Sequence, residues 1–222
     1  MTTGVRRRWG VEERRQQLIG VALELFSNRS SPDDVSIDEI AAAAGISRPL
    51  VYHYFPGKQG LYEAALRQAA GELAELFQER HEGPLGARLL RVLGRFFDFV
   101  DAHGTGFAAP VINEVRQAAY EQILAHLEVG EPSARLELVV RTWMTLAEST
   151  ALNRPAGPRA ELELQLVHDF AALSAVSAIH DAELADLLVR VLKDEPADGP
   201  FSVLVGRLVS LLPAQVQVQV QV

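Results

Sequence analysis

Apolar residues recur every three or four positions along most of the chain. Between Val11 and Phe26, the residues Leu18, Ala22 and Phe26 share one side and charged residues share the other, which is the pattern of an amphipathic helix. After two shorter segments, the same spacing returns in a series of longer ones. These predicted helices cover about residues 58–79, 84–100, 113–128, 133–152, 159–178, 181–193 and 201–212. The pattern predicts an all-α chain.

Two short helices are predicted between residues 36 and 55. Ser36 followed by Glu39 forms a capping box, in which the hydroxyl and the carboxylate each satisfy an orphan amide, and Gly45 ends the helix that it opens. Ser47 is expected to cap the second helix, with Pro49 in the first turn, where a missing N–H costs little. A short helix, a turn containing glycine and a second short helix form the helix-turn-helix arrangement, whose second helix lies in the DNA major groove.

The second short helix is rich in rings, because Tyr52, His53, Tyr54 and Phe55 follow one another. A helix of barely two turns cannot bury all of them. Val51 and Phe55 are four residues apart and are expected to face the core. Tyr52 has two alternatives, which are packing against the first helix and contacting DNA.

The segment from Ile37 to Leu61, and above all the run EIAAAAGISRPLVYHYFPGK from Glu39 to Lys58, resembles the DNA-binding signature of the TetR family of transcriptional regulators. With the preceding helix, the resemblance covers about residues 11–62. The rest of the chain resembles the family only in being helical. One departure is Pro49, where many members carry glycine.

This resemblance implies a fold and a function. The fold is an N-terminal three-helix helix-turn-helix DNA-binding domain with a basic arm over residues 1–57, followed by a larger helical ligand-binding and dimerisation domain over residues 58–212. The function is that of a sequence-specific regulator of transcription, a repressor released from a palindromic double-stranded DNA operator by a small-molecule ligand. The alternative left open is a ligand-independent DNA-binding or architectural protein.

In this family the second short helix enters the major groove, and residues near its end hold phosphates. The chemistry of the residues agrees with these two roles. An arginine such as Arg48 can bond guanine O6 and N7 with two N–H groups, while Lys58 suits phosphate. Amides at the helix start near Ser36 suit phosphate as well. The candidate DNA-binding residues are Ser36, Ser47, Arg48, Pro49, Leu50, Tyr52, His53, Tyr54 and Lys58, with Arg6, Arg7 and Arg8 as an arm for the minor groove.

The charge is distributed unevenly along the chain. The whole sequence carries a net charge of −8. Residues 1–60 hold eight basic and seven acidic groups, whereas the remainder holds 13 basic and 22 acidic groups. Phosphate attraction depends on local clustering of basic groups, and five of those eight lie within the first fifteen residues. The net charge therefore does not exclude DNA binding.

A ligand pocket is predicted where aromatic residues concentrate after residue 90. The run from Gly104 to Ala109 resembles a relaxed dinucleotide fingerprint, but it follows a helix instead of a strand and is better explained as a loop or broken helix bordering the pocket. The alternative is that each of these aromatic side chains is an ordinary part of the hydrophobic core. A small apolar ligand is expected, and the candidate lining residues are Phe96, Phe99, Val100, His103, Phe107, Trp143, Met144, Ala147 and Glu148.

The family pairs its last two long helices with their copies in a second subunit. The segments 133–152 and 159–178 are the candidates for this homodimer interface. A dimer has a functional reason, because one short recognition helix reads few base pairs and a two-fold pair reads a palindrome. The tail 213–222 alternates Val and Gln with period two, which is strand patterning of unclear origin.

Several function classes are disfavoured by the sequence. The chain contains no Cys, which excludes disulfides, thiolate zinc sites and a thiol nucleophile. Without an HExxH, Gly-x-Ser-x-Gly or Walker motif, no enzyme, metal or cofactor is expected, although a helical enzyme or partner-binding module remains an alternative. No apolar run is long enough to span a membrane and the N-terminus lacks the apolar stretch of a signal peptide, so the expected location is cytoplasmic.

Overall fold

The computed structural model describes residues 10–78 and 82–211. These ranges contain α-helices, one 3₁₀ segment at Pro32–Asp34 and no strand, which confirms the all-α prediction. The helices are α1 Val11–Ser27, α2 Ile37–Ala43, α3 Arg48–Tyr54, α4 Lys58–Phe77, α5 Leu85–His126, α6 Ala134–Asn153, α7 Arg159–Ala178, α8 Ala182–Asp194 and α9 Pro200–Leu211. The predicted arm Arg6, Arg7 and Arg8 and the tail 213–222 lie outside the described residues.

The chain divides into two compact units. The first consists of the described residues up to Leu73 together with Phe99–Val115. The second consists of Ala74–Asp98 and the described residues from Arg116 onward. The division by role that was predicted at residues 57 and 58 stays a prediction.

The first three helices form the predicted helix-turn-helix arrangement around a small apolar core. Leu18, Ile40 and Val51, one from each helix, are fully buried. The capping box at the start of α2 is present as predicted, since the Ser36 hydroxyl accepts from the Glu39 amide at 3.1 Å and the Glu39 carboxylate accepts from the Ser36 amide at 2.8 Å. The turn before α3 contains Gly45 at φ +66°, a backbone conformation that favours glycine.

The predicted side-chain cap of α3 is not formed. Ser47 does stand at the N-cap position, but its hydroxyl makes no cap hydrogen bond. A cap hydroxyl usually accepts from the second or third amide of the helix. The second position is Pro49, which has no N–H, and the third amide, that of Leu50, donates to the Ser47 carbonyl at 2.9 Å.

Of the two alternatives predicted for Gly104–Ala109, a loop and a broken helix, the structure contains the broken helix. Gly104 alone departs from helical geometry, with φ +65° and ψ +153°, and α5 continues through Pro110. Phe107, Val111 and Val115 are buried at helical spacing, so burial of this apolar face outweighs the breaking tendency of the glycines and the proline.

The break brings the backbone of α5 against the segment that follows α1. A Cβ atom at Gly104 would lie 2.8 Å from the Ser27 carbonyl oxygen, and one at Gly106 would lie 2.7 Å from the Ser30 carbonyl oxygen. Both distances are shorter than a carbon–oxygen contact allows. These glycines therefore serve close backbone packing, which is what the apparent dinucleotide fingerprint represents.

In the second unit, the two ends of α5 lie close to each other. A straight helix of 42 residues would be about 63 Å long, yet Leu85 and Leu127 line the same cavity of about 260 Å³. Phe170 of α7 is buried between Trp143 and Phe201, with ring centroids 5.3 and 6.4 Å away. Large rings therefore join α6, α7 and α9 in one core.

Ser133 and Asp181, the N-cap residues of α6 and α8, are hydrogen-bonded to each other. The Ser133 hydroxyl accepts from the Leu136 amide at 3.1 Å and donates to one Asp181 carboxylate oxygen at 2.7 Å, while the other oxygen accepts from the Leu184 amide at 3.2 Å. These hydrogen bonds, with the one from Ser133 as the largest contribution, hold the pKa of Asp181 below its usual value.

Within residues 10–78 and 82–211, every helix is either too short or too polar to cross a bilayer.

Candidate nucleic-acid interface

Helix α3 presents one buried face and one exposed face. Val51 is fully buried and Phe55, which follows the helix, is 3% exposed, as predicted. On the opposite face Tyr52 is 45% exposed and His53 is exposed beside it. Arg48, Pro49 and Leu50 are exposed at the N-terminal end, and Tyr54 is half-buried. The structure therefore places the predicted base-reading residues together on solvent-facing positions of one short helix.

Arg48 is held by two neighbours on this face. Its Nη1 lies 3.0 Å from Oδ2 of Asp38 in α2, and its Nη2 donates to the Tyr52 hydroxyl at 3.4 Å. The hydrogen bond to Tyr52 and the Asp38 carboxylate both raise the pKa of Arg48 above its ordinary value. Sequence reasoning did not identify Asp38, because its contact with Arg48 spans ten residues across a turn and no spacing rule signals it.

Two of the predicted phosphate-binding residues already have partners. Lys58 Nζ donates to the carbonyl of Pro32 at 3.1 Å and to the carbonyl and carboxylate of Asp33, both at 3.4 Å. The Ser36 hydroxyl and amide are engaged with Glu39, whose carboxylate lies at the start of α2. The Ser36 hydrogen bonds lower the pKa of Glu39. Lys58 thus ties the start of α4 to the segment preceding α2.

The predicted pocket residues fall in both compact units. In the first unit, Phe99, His103 and Phe107 form a ring cluster, with centroids 4.4 Å apart for Phe99 and His103 and 6.0 Å apart for His103 and Phe107. Val100, which follows Phe99 in α5, is also buried. His103 Nδ1 is 2.9 Å from the Ser27 hydroxyl at the end of α1. This cluster therefore contacts the helix-turn-helix through Ser27.

In the second unit, the predicted pocket residues are packed with one another or with neighbouring helices. Phe96 lies against Phe77 and Phe97, and the Trp143 indole N–H donates to the Leu166 carbonyl at 2.7 Å. Ala147 is buried. Met144 lines a cavity of about 190 Å³ together with Arg116, Arg141 and Thr145.

Glu148, the one acidic residue of the predicted pocket, is paired. Its Oε2 lies 2.8 Å from Arg116 Nη2. Burial raises the pKa of Glu148, and the guanidinium of Arg116 opposes that rise. A ligand cation, which an unpaired carboxylate would favour, would have to compete with Arg116 here.

Among the residues that the structure describes, no three His, Asp or Glu side chains are grouped so that they could hold a metal ion.

The environment of His103 predicts a pH-dependent stability. Burial lowers the pKa of His103 from its ordinary value of 6.5, while Glu72, whose Oε2 is 3.9 Å from Nε2, acts in the opposite direction. A histidine with a lowered pKa in the folded state contributes stability that is present above about pH 6.5 and is lost as the pH falls below it. We expect the difference in unfolding free energy between the wild type and His103→Asn to shrink from about pH 7.5 to about pH 5. Urea unfolding at both pH values measures it, and a difference that is constant or grows on acidification would contradict the assignment.

Two family models match successive parts of the chain. The family model described as bacterial regulatory proteins of the tetR family matches residues 18–65, which contain α2 and α3. A model described as the tetracyclin repressor-like C-terminal domain matches residues 85–173. The HTH-type transcriptional regulator BetI of Escherichia coli (strain K12 / DH10B) is 30% identical in a 129-residue alignment that covers 51% of this chain and 66% of that protein. The chain thus spans just under two thirds of the length of the curated relatives it matches.

Solved structures give the same assignment. A tetR-family transcriptional regulator from Streptomyces coelicolor is 64% identical, with a TM-score of 0.84 over 91% of this chain and 99% of that one. A TetR-like transcriptional regulator from Rhodococcus sp. RHA1 is 23% identical over 80% of this chain and 99% of that one, with a TM-score of 0.50, and supports the fold alone. The chain therefore belongs to the TetR family of transcriptional regulators.

Proposed function

We propose that the protein is a homodimeric repressor that binds a palindromic operator in double-stranded DNA and is released from it by a small molecule. The observation that carries the proposal is the exposed face of α3. Val51 and Phe55 anchor this helix in the core, so the helix presents the exposed side chains of Arg48, Tyr52 and His53 to an external partner. A recognition helix in the major groove needs such an arrangement.

Within this proposal, the residues divide by chemistry. Arg48 reads guanine through O6 and N7, and Pro49 and Leu50 make apolar contacts with bases. Tyr52, Tyr54 and Lys58 contact phosphates, which fix the register without conveying sequence, and His53 reaches a base edge or a phosphate. Ser36 and Ser47 lie at the starts of α2 and α3, where amides attract phosphate. The arm Arg6, Arg7 and Arg8 reaches into the minor groove.

The dimer is proposed to form through α6 and α7. One short recognition helix reads few base pairs, so a palindrome needs a second copy of this chain. Helix α7 exposes Val176 at 68%, followed by Ile179 at 74%, and α6 exposes Leu138 at 65%. Val176 and Ile179 are three residues apart and therefore neighbours on one side of the helix, and adjacent exposed apolar side chains favour a protein partner more than a single one such as Val11 does. Val189 of α8 is 67% exposed as well and makes α8 the competing partner of α7.

A charge on α7 is expected to dissociate the dimer. Val176→Glu would bury a carboxylate in an apolar interface without a partner, and sedimentation analysis should find a monomer. Leu138→Glu and Val189→Glu decide between α6 and α8 as the second helix. Val11→Glu is the matched control, because Val11 is 72% exposed on α1 and should tolerate the charge. A dimer that persists in Val176→Glu would contradict the assignment of α7.

Release by a ligand is proposed to act through the broken helix. Phe99–Val115 belongs to the same compact unit as α1–α3, and His103 contacts Ser27 of α1. A small apolar ligand would favour a different position of the segment Phe99–Val115. It would bind among Phe99, Val100, His103 and Phe107, or among Phe96, Trp143, Met144, Ala147 and Glu148. Only a ligand with different affinities for the two conformations can release DNA.

A second candidate is a regulator that needs no ligand. It is favoured by the contacts of Trp143 within the protein, because its indole N–H is bonded to the Leu166 carbonyl and its ring lies against Phe170. A ligand that releases the operator would exclude this candidate.

The experiment that tests the proposal is selection of the purified protein against a random-sequence DNA pool, at about 50 mM and about 200 mM salt. Recovery of one inverted repeat that survives the higher salt supports a sequence-specific dimer. Binding that vanishes with salt and leaves no motif would refute it, because phosphate attraction alone is salt-sensitive and carries no sequence preference.

A further inference from the structure

We propose that Asp38 is a specificity-determining residue of the DNA interface, acting through Arg48. The inference rests on the proposed DNA-binding function. Asp38 lies in the first turn of α2 and Arg48 in the first turn of α3, and the two side chains meet on the exposed face. Asp38 holds the guanidinium in place, and its negative charge opposes binding wherever Arg48 finds no guanine.

The geometry gives Arg48 a defined orientation without exhausting its donors. Asp38 accepts from Nη1 at 3.0 Å through one oxygen and at 3.4 Å through the other, and Tyr52 accepts from Nη2 at 3.4 Å. The guanidinium has five N–H bonds, so N–H groups remain for guanine O6 and N7. Tyr52 accepts in this contact and keeps its own hydroxyl proton for a phosphate oxygen.

The contact of Arg48 with guanine is stronger than its contact with Asp38. The side chains of Arg48 and Asp38 are 55% and 66% exposed, and an exposed ion pair of this kind changes an equilibrium about fivefold at most. A bidentate contact with guanine is worth about 5- to 150-fold. The contact with guanine therefore dominates where guanine is present, and the pair with Asp38 is too weak to prevent it. Where guanine is absent, Arg48 keeps only its contacts with Asp38 and Tyr52.

At a site without the guanine, Asp38 works against binding. A carboxylate beside the major groove is repelled by the phosphates of any DNA sequence, and this repulsion is not offset when Arg48 gains no base contact. At the operator, the oriented Arg48 offsets it. Asp38 therefore lowers non-specific affinity more than operator affinity.

The test is Asp38→Asn, which removes the charge and keeps the shape. Affinities for the selected operator and for a duplex of the same length and base composition without the motif are measured by fluorescence anisotropy. Non-specific affinity is expected to rise several-fold, and the ratio of operator to non-specific affinity is expected to fall about tenfold. The control is Asp34→Asn, which makes the same change in net charge at an exposed position of the 3₁₀ segment.

A double-mutant cycle that combines Asp38→Asn with Arg48→Ala shows whether Asp38 acts through Arg48 or only through its charge. In the Arg48→Ala background, Asp38→Asn should leave the affinity ratio unchanged. If Asp38→Asn and Asp34→Asn raise both affinities by the same factor, or if the effect of Asp38→Asn persists without Arg48, the inference is overturned. A wild type that selects no motif would instead refute the proposed function, so the two failures are distinguishable.

Discussion

Replacing Gly104 with alanine is expected to destabilise the protein by about 2–6 kcal/mol. The backbone at φ +65° and ψ +153° lies in a region that is almost restricted to glycine, and forcing another residue into it costs about 1–3 kcal/mol. The new Cβ would also stand 2.8 Å from the Ser27 carbonyl oxygen, and relieving such a clash costs about 1–3 kcal/mol more. The obstructing atom belongs to the backbone, so no side-chain rotation can relieve the clash.

Urea unfolding followed by circular dichroism measures this effect. The matched control is Gly20→Ala in α1, because Gly20 lies in a helix and a Cβ there would meet no atom within 4 Å. The control is expected to stabilise the protein by about 0.5–1 kcal/mol, since glycine in a helix is less favourable than alanine by this amount. Two glycine-to-alanine changes should thus have opposite signs. A Gly104→Ala protein as stable as the wild type would contradict the close packing of α5 on the segment after α1.

The second large effect is expected for Arg48→Ala in DNA binding. Loss of a bidentate guanine contact costs about 1–3 kcal/mol in each half-site, so a dimer should lose about 2–6 kcal/mol of discrimination. Binding to unrelated sequences should change much less. The measurement is a repeat of the random-pool selection with the variant, and the recovered sequences should no longer share the guanine position.

Lys58→Ala provides the contrast to Arg48→Ala. A phosphate contact carries no sequence information, so Lys58→Ala should weaken all sequences alike and reduce the dependence on salt. Lys58 also donates to the Pro32 and Asp33 carbonyls, so Lys58→Ala removes contacts of the folded protein as well. The unfolding free energy of this variant therefore has to be measured together with its affinity for DNA. Equal loss of base preference in both variants would contradict the division of roles between Arg48 and Lys58.

The sequence predicted what depends on local regularity. Helical spacing located the helices, and the capping box at Ser36 and Glu39 placed the start of α2 correctly. The buried pair Val51 and Phe55 followed from their spacing of four residues, which left the other face of α3 exposed. Much of the helix-turn-helix and of its exposed face could therefore be predicted, because contacts between neighbouring turns of a helix determine them.

What the sequence did not predict depends on contacts between distant residues. The Asp38 contact with Arg48 and the Lys58 contacts with Pro32 and Asp33 arise only when separate helices meet. At Gly104, the glycines and Pro110 left a loop and a broken helix as alternatives, and α5 is a broken helix there. Which of these alternatives prevails is decided by burial, and burial is a property of the folded chain.

Two copies of α3 are proposed to read guanines in two half-sites, and methylation protection tests this proposal most directly. Dimethyl sulfate modifies guanine N7 in the major groove, which is the atom assigned to Arg48. On the selected operator, we expect two protected guanine clusters about one helical turn, or about 34–36 Å, apart, and loss of both clusters in Arg48→Ala. Absence of protection, a single cluster, or protection that persists in Arg48→Ala would contradict it.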